Sequence, residues 1–231
     1  MTGLLHEKEL SRKTFLKGGG ALIVGFSLAG ALTGGKAAAR GAKTAAGSAY
    51  PVIDFGQLDS WIVVHPDNTV TVFTGHIDIG TGSQTGFMQV VADELSVAFS
   101  AITMVMGDTD RTPLQGKSTA SNAMASAVQP IQVAAANAYQ VLLGMASTKL
   151  GVPVSGLTVT DGVISATSNA GNRVSYGELI GGKRFNVTIP VSSPPGPSDP
   201  LVTNNGSTGA LAATVPLKDP SQVPRQVDST R

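Results

Sequence analysis

The residues with chemical potential cluster at two places. The first is Thr74-Gly75-His76-Ile77-Asp78-Ile79-Gly80-Thr81-Gly82. Apolar and polar residues alternate up to Ile79, as in a strand. After the glycines the period becomes helical, with Phe87, Val90, Val91, Glu94 and Leu95 three or four apart. Glycine lacks a Cβ, so Gly80-Thr81-Gly82 lets backbone approach a ligand closely. The free N–H groups of the following helical turn favour an anion or an oxygen-rich group there. A tight turn between strand and helix with no ligand has the same pattern, since a lone Gly-x-Gly is a weak motif. The second place is Gly116 to Ala123, small and hydroxyl-rich. Ser118, Thr119, Ser121 and Asn122 either cap a helix or donate to ligand oxygens. His65 and His76 read as strand-end or surface histidines, because the sequence offers neither a set of partner ligands. Asp108 and Asp110 lack the later ligands of a calcium loop and read as solvated carboxylates.

These residues need a frame. Asp59–His65, a Pro66-Asp67-Asn68 turn and Thr69–Thr74 predict a hairpin. Ala101–Met106 predicts a third strand. An alanine-rich helix follows from about Ala123 to Leu150, with Pro130 either kinking it or marking a later start. Gly151-Val152-Pro153 ends it. Leu157–Thr160 and Val163–Ala166 flank Asp161-Gly162, a strong hairpin signal. Val174–Ile180 reads as a strand entering a short helix. From Pro190 onward Pro, Ser, Gly and Asn dominate, which predicts irregular chain. The fold class is α+β: β-hairpins with one amphipathic and one long helix, as part of a larger body.

Composition sets the limits. The chain has 231 residues, a net charge of +1, 13% charged residues and no cysteine. Charged content is about half the globular average, which suits a subunit that buries much of its surface and equally a signal-bearing precursor. The near-zero net charge points away from nucleic acid. Disulfides, thiolate metal sites and cysteine-ligated iron–sulfur clusters are excluded for this chain. Ser11-Arg12-Lys13-Thr14-Phe15-Leu16-Lys17, an apolar run to about Leu32 and Lys36-Ala37-Ala38-Ala39 have the order of an export signal. The heptapeptide resembles a twin-arginine signal with Lys13 in place of the second arginine; a Sec signal or an uncleaved anchor is the alternative. The expected location is extracytoplasmic, in the periplasm or associated with the membrane.

Four motifs in order form one larger pattern. They are Ser60-Trp61 with His65-Pro66-Asp67 and Thr69–Val72; Thr74–Gly82; Gln89 with Val91-Ala92-Asp93-Glu94-Leu95; and Gly107-Asp108-Thr109 with Thr112-Pro113. From Asp59 onward the chain resembles the start of the molybdenum-cofactor subunit of the xanthine dehydrogenase and aldehyde oxidase family, nearest the isoquinoline 1-oxidoreductase β-subunit type. The resemblance implies that Ile79, Gly80, Thr81 and Gly82 and the loop Ala120, Ser121, Asn122 and Ala123 contact a molybdopterin, in dinucleotide form. Many relatives have glutamine where this chain has Thr81. The resemblance also implies hydroxylation of aldehydes or N-heteroaromatic compounds, with electrons passing to an iron–sulfur small subunit. The family's catalytic glutamate lies far downstream of this region, so no catalytic residue and no metal ligand is assigned here. Cofactor binding is then expected only if a partner chain supplies the remainder of the subunit. The implied division is signal 1–39, linker 40–58, cofactor-binding α+β domain 59–189 and irregular tail 190–231. The expectation is an N-terminal portion of a hydroxylase that is inactive alone; the alternative is a non-catalytic exported binding or assembly module.

Overall fold

The computed structural model describes residues 53–119, 121–193 and 209–219. The export-signal expectation and most of the expected linker lie outside the described residues, as does Ala120.

The first sheet has the order β1 (Ile62–Val64), β2 (Val70–Thr74), β3 (Ile102–Met106). β1 and β2 form the expected antiparallel hairpin, with Ile62 opposite Val72. β3 pairs with β2 in parallel, Val70 opposite Ile102 and Thr74 opposite Met106. A parallel pair needs a crossover, and α1 (Ser83–Leu95) supplies it. Both loops leaving the carboxyl ends of β2 and β3 therefore start at the same end of the sheet.

Hydrophobic burial holds this unit together. Ile62, Val64, Val70 and Val72 from the sheet and Phe87, Val91 and Leu95 from α1 share one core. Its other side is α2 (Val128–Leu150), whose Ile131, Ala134, Ala135, Ala138 and Leu142 are fully buried. Small alanine side chains let this helix lie close to its neighbours. Pro130 falls in the first turn of α2, and regular α-helix begins at Val128 rather than Ala123, the later start that a proline there allows. A π-helical turn at Ala123–Ala127 precedes α2, and Gly151 ends it in the left-handed conformation.

A second sheet, β4 (Leu157–Thr160), β5 (Val163–Ala166) and β6 (Asn169–Ser175), is antiparallel throughout and turns at Asp161-Gly162 as expected. β6 enters α3 (Tyr176–Ile180) through a Ser175–Glu178 capping box. Two expectations change. The first strand is shorter than Asp59–His65, because Leu58–Ser60 forms a 3-10 turn. Buried Asp59 there accepts the Phe185 and Asn186 N–H groups at 2.7 and 2.8 Å. The region after Pro190 is not wholly irregular: β7 (Val191–Ser193) pairs with β8 (Ala210–Leu211). Leu211 is buried, and Gln129 on α2 bonds both its N–H and its C=O. One apolar residue in a polar segment, matched to a distant glutamine, leaves no periodic trace.

Tyr176 joins the second sheet to α1. Its ring is buried, and its hydroxyl donates to the Leu95 carbonyl at 2.7 Å, one of the last carbonyls of α1. Tyr176→Phe leaves that carbonyl without this donor and is expected to cost about 1–3 kcal/mol, measured by urea denaturation with an unchanged m-value.

Candidate functional site

β2 ends at Thr74, and the chain from Gly75 to Gly82 is an irregular loop rather than the continued strand that the alternation to Ile79 suggests. Gly75 lies so close to the next loop that a side chain there would run into the Pro113 carbonyl. Asp78 then folds the loop around itself. Its Oδ1 accepts the N–H groups of Gly80 at 2.9 Å, Thr81 at 2.8 Å and Gly82 at 3.2 Å, and its Oδ2 accepts the Gln84 N–H at 3.1 Å. Gly80 and Gly82 take positive φ of 91° and 74°, which L side chains rarely adopt. The anion expected at the start of α1 is therefore the protein's own carboxylate. These hydrogen bonds, that of Gln84 first, hold Asp78 below the usual carboxylate value.

A buried polar network fixes this loop to the second one. Gln115 Oε1 accepts from Thr74 Oγ1 at 2.6 Å and from the Gly75 N–H at 2.9 Å; its Nε2 donates to the Ala127 carbonyl at 3.1 Å. His76 is fully buried, which corrects its reading as a strand-end or surface residue. Its Nε2 lies 3.2 Å from the Gln115 carbonyl and its Nδ1 3.0 Å from Ser118 Oγ. Ser118 Oγ also accepts the Ile77 N–H at 3.0 Å. Burial lowers the His76 pKa from its ordinary 6.5, against a smaller opposing effect of the Gln115 carbonyl. His65 does sit at a strand end, bonded to Thr71 Oγ1 at 2.8 Å.

The second loop is strained where it turns. Ser121 has a φ of +57°, unfavourable for a side chain with a Cβ, and the π-helical turn follows at once. Asn122 does not cap the helix with its side chain. Its Nδ2 donates to the Lys117 carbonyl at 2.8 Å and its Oδ1 accepts from the Thr119 N–H, so it braces the loop instead.

Between the two loops lies a cleft of about 330 Å³. Of the expected contact residues, Ile79, Thr81, Gly82, Ser121, Asn122 and Ala123 line it, and Gly80 lies in the turn beside them. Ile77, Ser83, Ser118, Thr119 and Met124 complete the lining. Sequence reasoning missed Gln115, the bracing roles of Asp78 and His76, and Met124. Asp108 pairs with Arg111 at 2.7 Å and shapes its own loop.

A family model described as the molybdopterin cofactor-binding domain matches residues 6–201. One of the subunits of nicotinate dehydrogenase from Pseudomonas putida is 37% identical over 144 residues, which are 62% of this chain and 12% of that protein. A probable hypoxanthine oxidase of Escherichia coli is 28% identical over 127 residues, covering 54% of this chain and 13% of its own length. The chain thus spans about an eighth of these curated relatives. Among solved structures, quinoline 2-oxidoreductase from Pseudomonas putida aligns with a TM-score of 0.43 at 23% identity, over 51% of this chain and 15% of that one.

Asp78→Ala unties the turn, so its melting temperature is expected to fall by several degrees. Added formate, which replaces the carboxylate, should restore part of the loss in the variant and do nothing for wild type. His76 gives a pH signature. A histidine whose folded pKa is depressed supports the fold above its ordinary value of 6.5 and loses that support as pH falls below it. Between pH 6.5 and about 5, the melting temperature of wild type should therefore fall more steeply than that of His76→Gln.

Proposed function

The chain belongs to the molybdopterin cofactor-binding domain family, as its ordered motifs led us to expect, and we propose that its cleft is one wall of the pterin site of a molybdenum hydroxylase. The observation that carries this reading is the meeting of loop 75–82 and loop 115–124 in one cleft. The residues present fit such a group. The volume lies in the range of small-ligand sites. Hydroxyl- and amide-bearing residues take part in its lining, and Ile77, Ile79 and Met124 expose large apolar side chains there. A Cβ added at Gly80 or Gly82 would meet nothing within 4 Å, so the backbone of this wall stays open to a ligand.

In this reading Ile79, Gly80, Thr81 and Gly82 form one wall of the site and Ser121, Asn122 and Ala123 the other, with Ala120 beside them in sequence. When bound, the molybdenum cofactor supplies the redox centre for inserting a water-derived oxygen into a C–H bond. This chain's residues hold and orient it. None of the side chains lining the cleft among the described residues is an acid or a base, which supports a general base supplied by another part of the assembly. Identity to a nicotinate dehydrogenase chain favours an N-heteroaromatic substrate over an aldehyde. The proposed partners are the remainder of the molybdopterin subunit and an iron–sulfur small subunit, since this chain has no cysteine to hold a cluster. The proposed cofactor form is the dinucleotide. Export through a twin-arginine-like signal at residues 1–39 would place the complex in the periplasm.

The test is elemental analysis and pterin fluorescence on the full chain, purified gently from a bacterium that makes the cofactor. Stoichiometric molybdenum with a longer polypeptide co-purifying is the expected result. Thr81→Pro, which removes one of the amides bonded to Asp78, should lower the metal content at least severalfold. Neither metal nor partner would overturn the proposal and leave a non-catalytic binding or assembly module, which a cleft lined without acid or base also suits.

A further inference from the structure

Ser118 stands where the buried network reaches the cleft, and its hydrogen-bond roles can be counted. A serine hydroxyl has one hydrogen to donate and two lone pairs to accept with. The Gln115 carbonyl can only accept, so His76 Nε2, 3.2 Å away, carries the imidazole hydrogen. The ring is enclosed by protein and lacks a carboxylate partner among its hydrogen bonds, which favours its neutral form. Nδ1 is then an acceptor, and Ser118 must donate its only hydrogen to it at 3.0 Å. One lone pair of Ser118 is engaged by the Ile77 N–H. What remains for the cleft is a single lone pair.

We propose that Ser118 meets the ligand only as a hydrogen-bond acceptor and so selects an N–H group, that of the amino-pyrimidine edge of a pterin, with His76 as the positioning residue that sets this polarity. The inference rests on the pterin reading of the cleft. It divides the site by chemistry. A phosphate or oxo group, which only accepts, finds no donor at Ser118. Such groups belong toward Thr119 and Ser121, two other hydroxyl-bearing residues of the lining. Hydroxyls that look alike in the sequence are thus not equivalent, because Ser118 alone has its hydrogen committed to His76.

The experiment has two parts, both on the full chain. In the first, nitrogen-15 NMR of histidine-labelled protein reads the imidazole tautomer, with the His76 signals assigned by their loss in His76→Gln. A neutral ring protonated at Nε2 at pH 7 is expected. Protonation at Nδ1, alone or with Nε2, overturns the proposal whether or not any ligand binds. In the second, binding of pterin is compared with that of 2-deaminopterin and 3-methylpterin, each lacking one of its two kinds of N–H. Ser118→Ala should weaken pterin binding about tenfold, as expected for one hydrogen bond. The penalty should vanish with the analogue that lacks the N–H being read. A structural role for Ser118 predicts the same penalty with all three probes, and that result, or no penalty with pterin, overturns the proposal. If wild type binds none of the three, the pterin reading itself falls and takes the ligand half of this inference with it.

Discussion

A buried side-chain amide holds the cleft open. Gln115 is 1% exposed and bonds Thr74, Gly75 and Ala127. Those partners are the end of β2, the start of the first loop and the π-helical turn before α2. Burying an amide is costly unless its donors and acceptors are matched, and here both ends of the amide are matched. The same matching makes any other arrangement of the two loops costly, because it would strand a buried polar group. The hydrophobic core explains why α1 and α2 pack together. It does not explain why two irregular loops keep one separation, and Gln115 with His76 does.

Asp78 answers a second problem, which is how a helix starts from a glycine. Gly82 has no side chain with which to cap α1. The carboxylate four residues earlier takes that part and gathers the amides of Gly80, Thr81 and Gly82 as well. A negative charge at a helix N-terminus is favourable. The anion-binding potential of the turn is therefore satisfied within the chain. The glycines serve the backbone conformation that this wrapping needs, and their missing side chains leave one face of the turn open.

The frame was largely legible, and its legibility tracks locality. The hairpin at Pro66–Asn68, the Asp161-Gly162 turn and the long alanine helix are set by neighbours in sequence, so their residues announce them. The two loops were found as well, because small and hydroxyl-bearing residues cluster in them. What joins the loops was not legible. Thr74 and Gln115 are 41 residues apart and His76 and Ser118 are 42 apart. A glutamine between Leu114 and Gly116 carries no local mark of burial. His76 looked superficial because it follows a strand and a glycine, yet the parallel pairing of β2 with β3 brings the second loop over it. The strands after Pro190 were hidden for the same reason, since Leu211 is held by Gln129 and not by its neighbours.

The charges left around α1 show what kind of ligand the cleft can hold. Asp78 stands at its N-terminus. At its other end the Lys218 ammonium donates to the Asp93 carbonyl at 2.8 Å and to Ser96 Oγ at 2.6 Å, and lies 4.3 Å from the centre of the Tyr139 ring. A cation is favourable at a helix C-terminus, so both ends of the dipole are met by the protein itself. Buried Glu94, whose pKa burial raises, accepts from Gln132 and from the Lys218 N–H, on the face of α1 turned to α2 and the C-terminal segment. With the dipole answered and no charged side chain in the lining among the described residues, the cleft has little electrostatic pull of its own. Affinity there must come from shape, from apolar contact with Ile77, Ile79 and Met124, and from the directions of a few hydrogen bonds. Those are the terms on which a flat, neutral, nitrogen-rich ring is distinguished from a free phosphate.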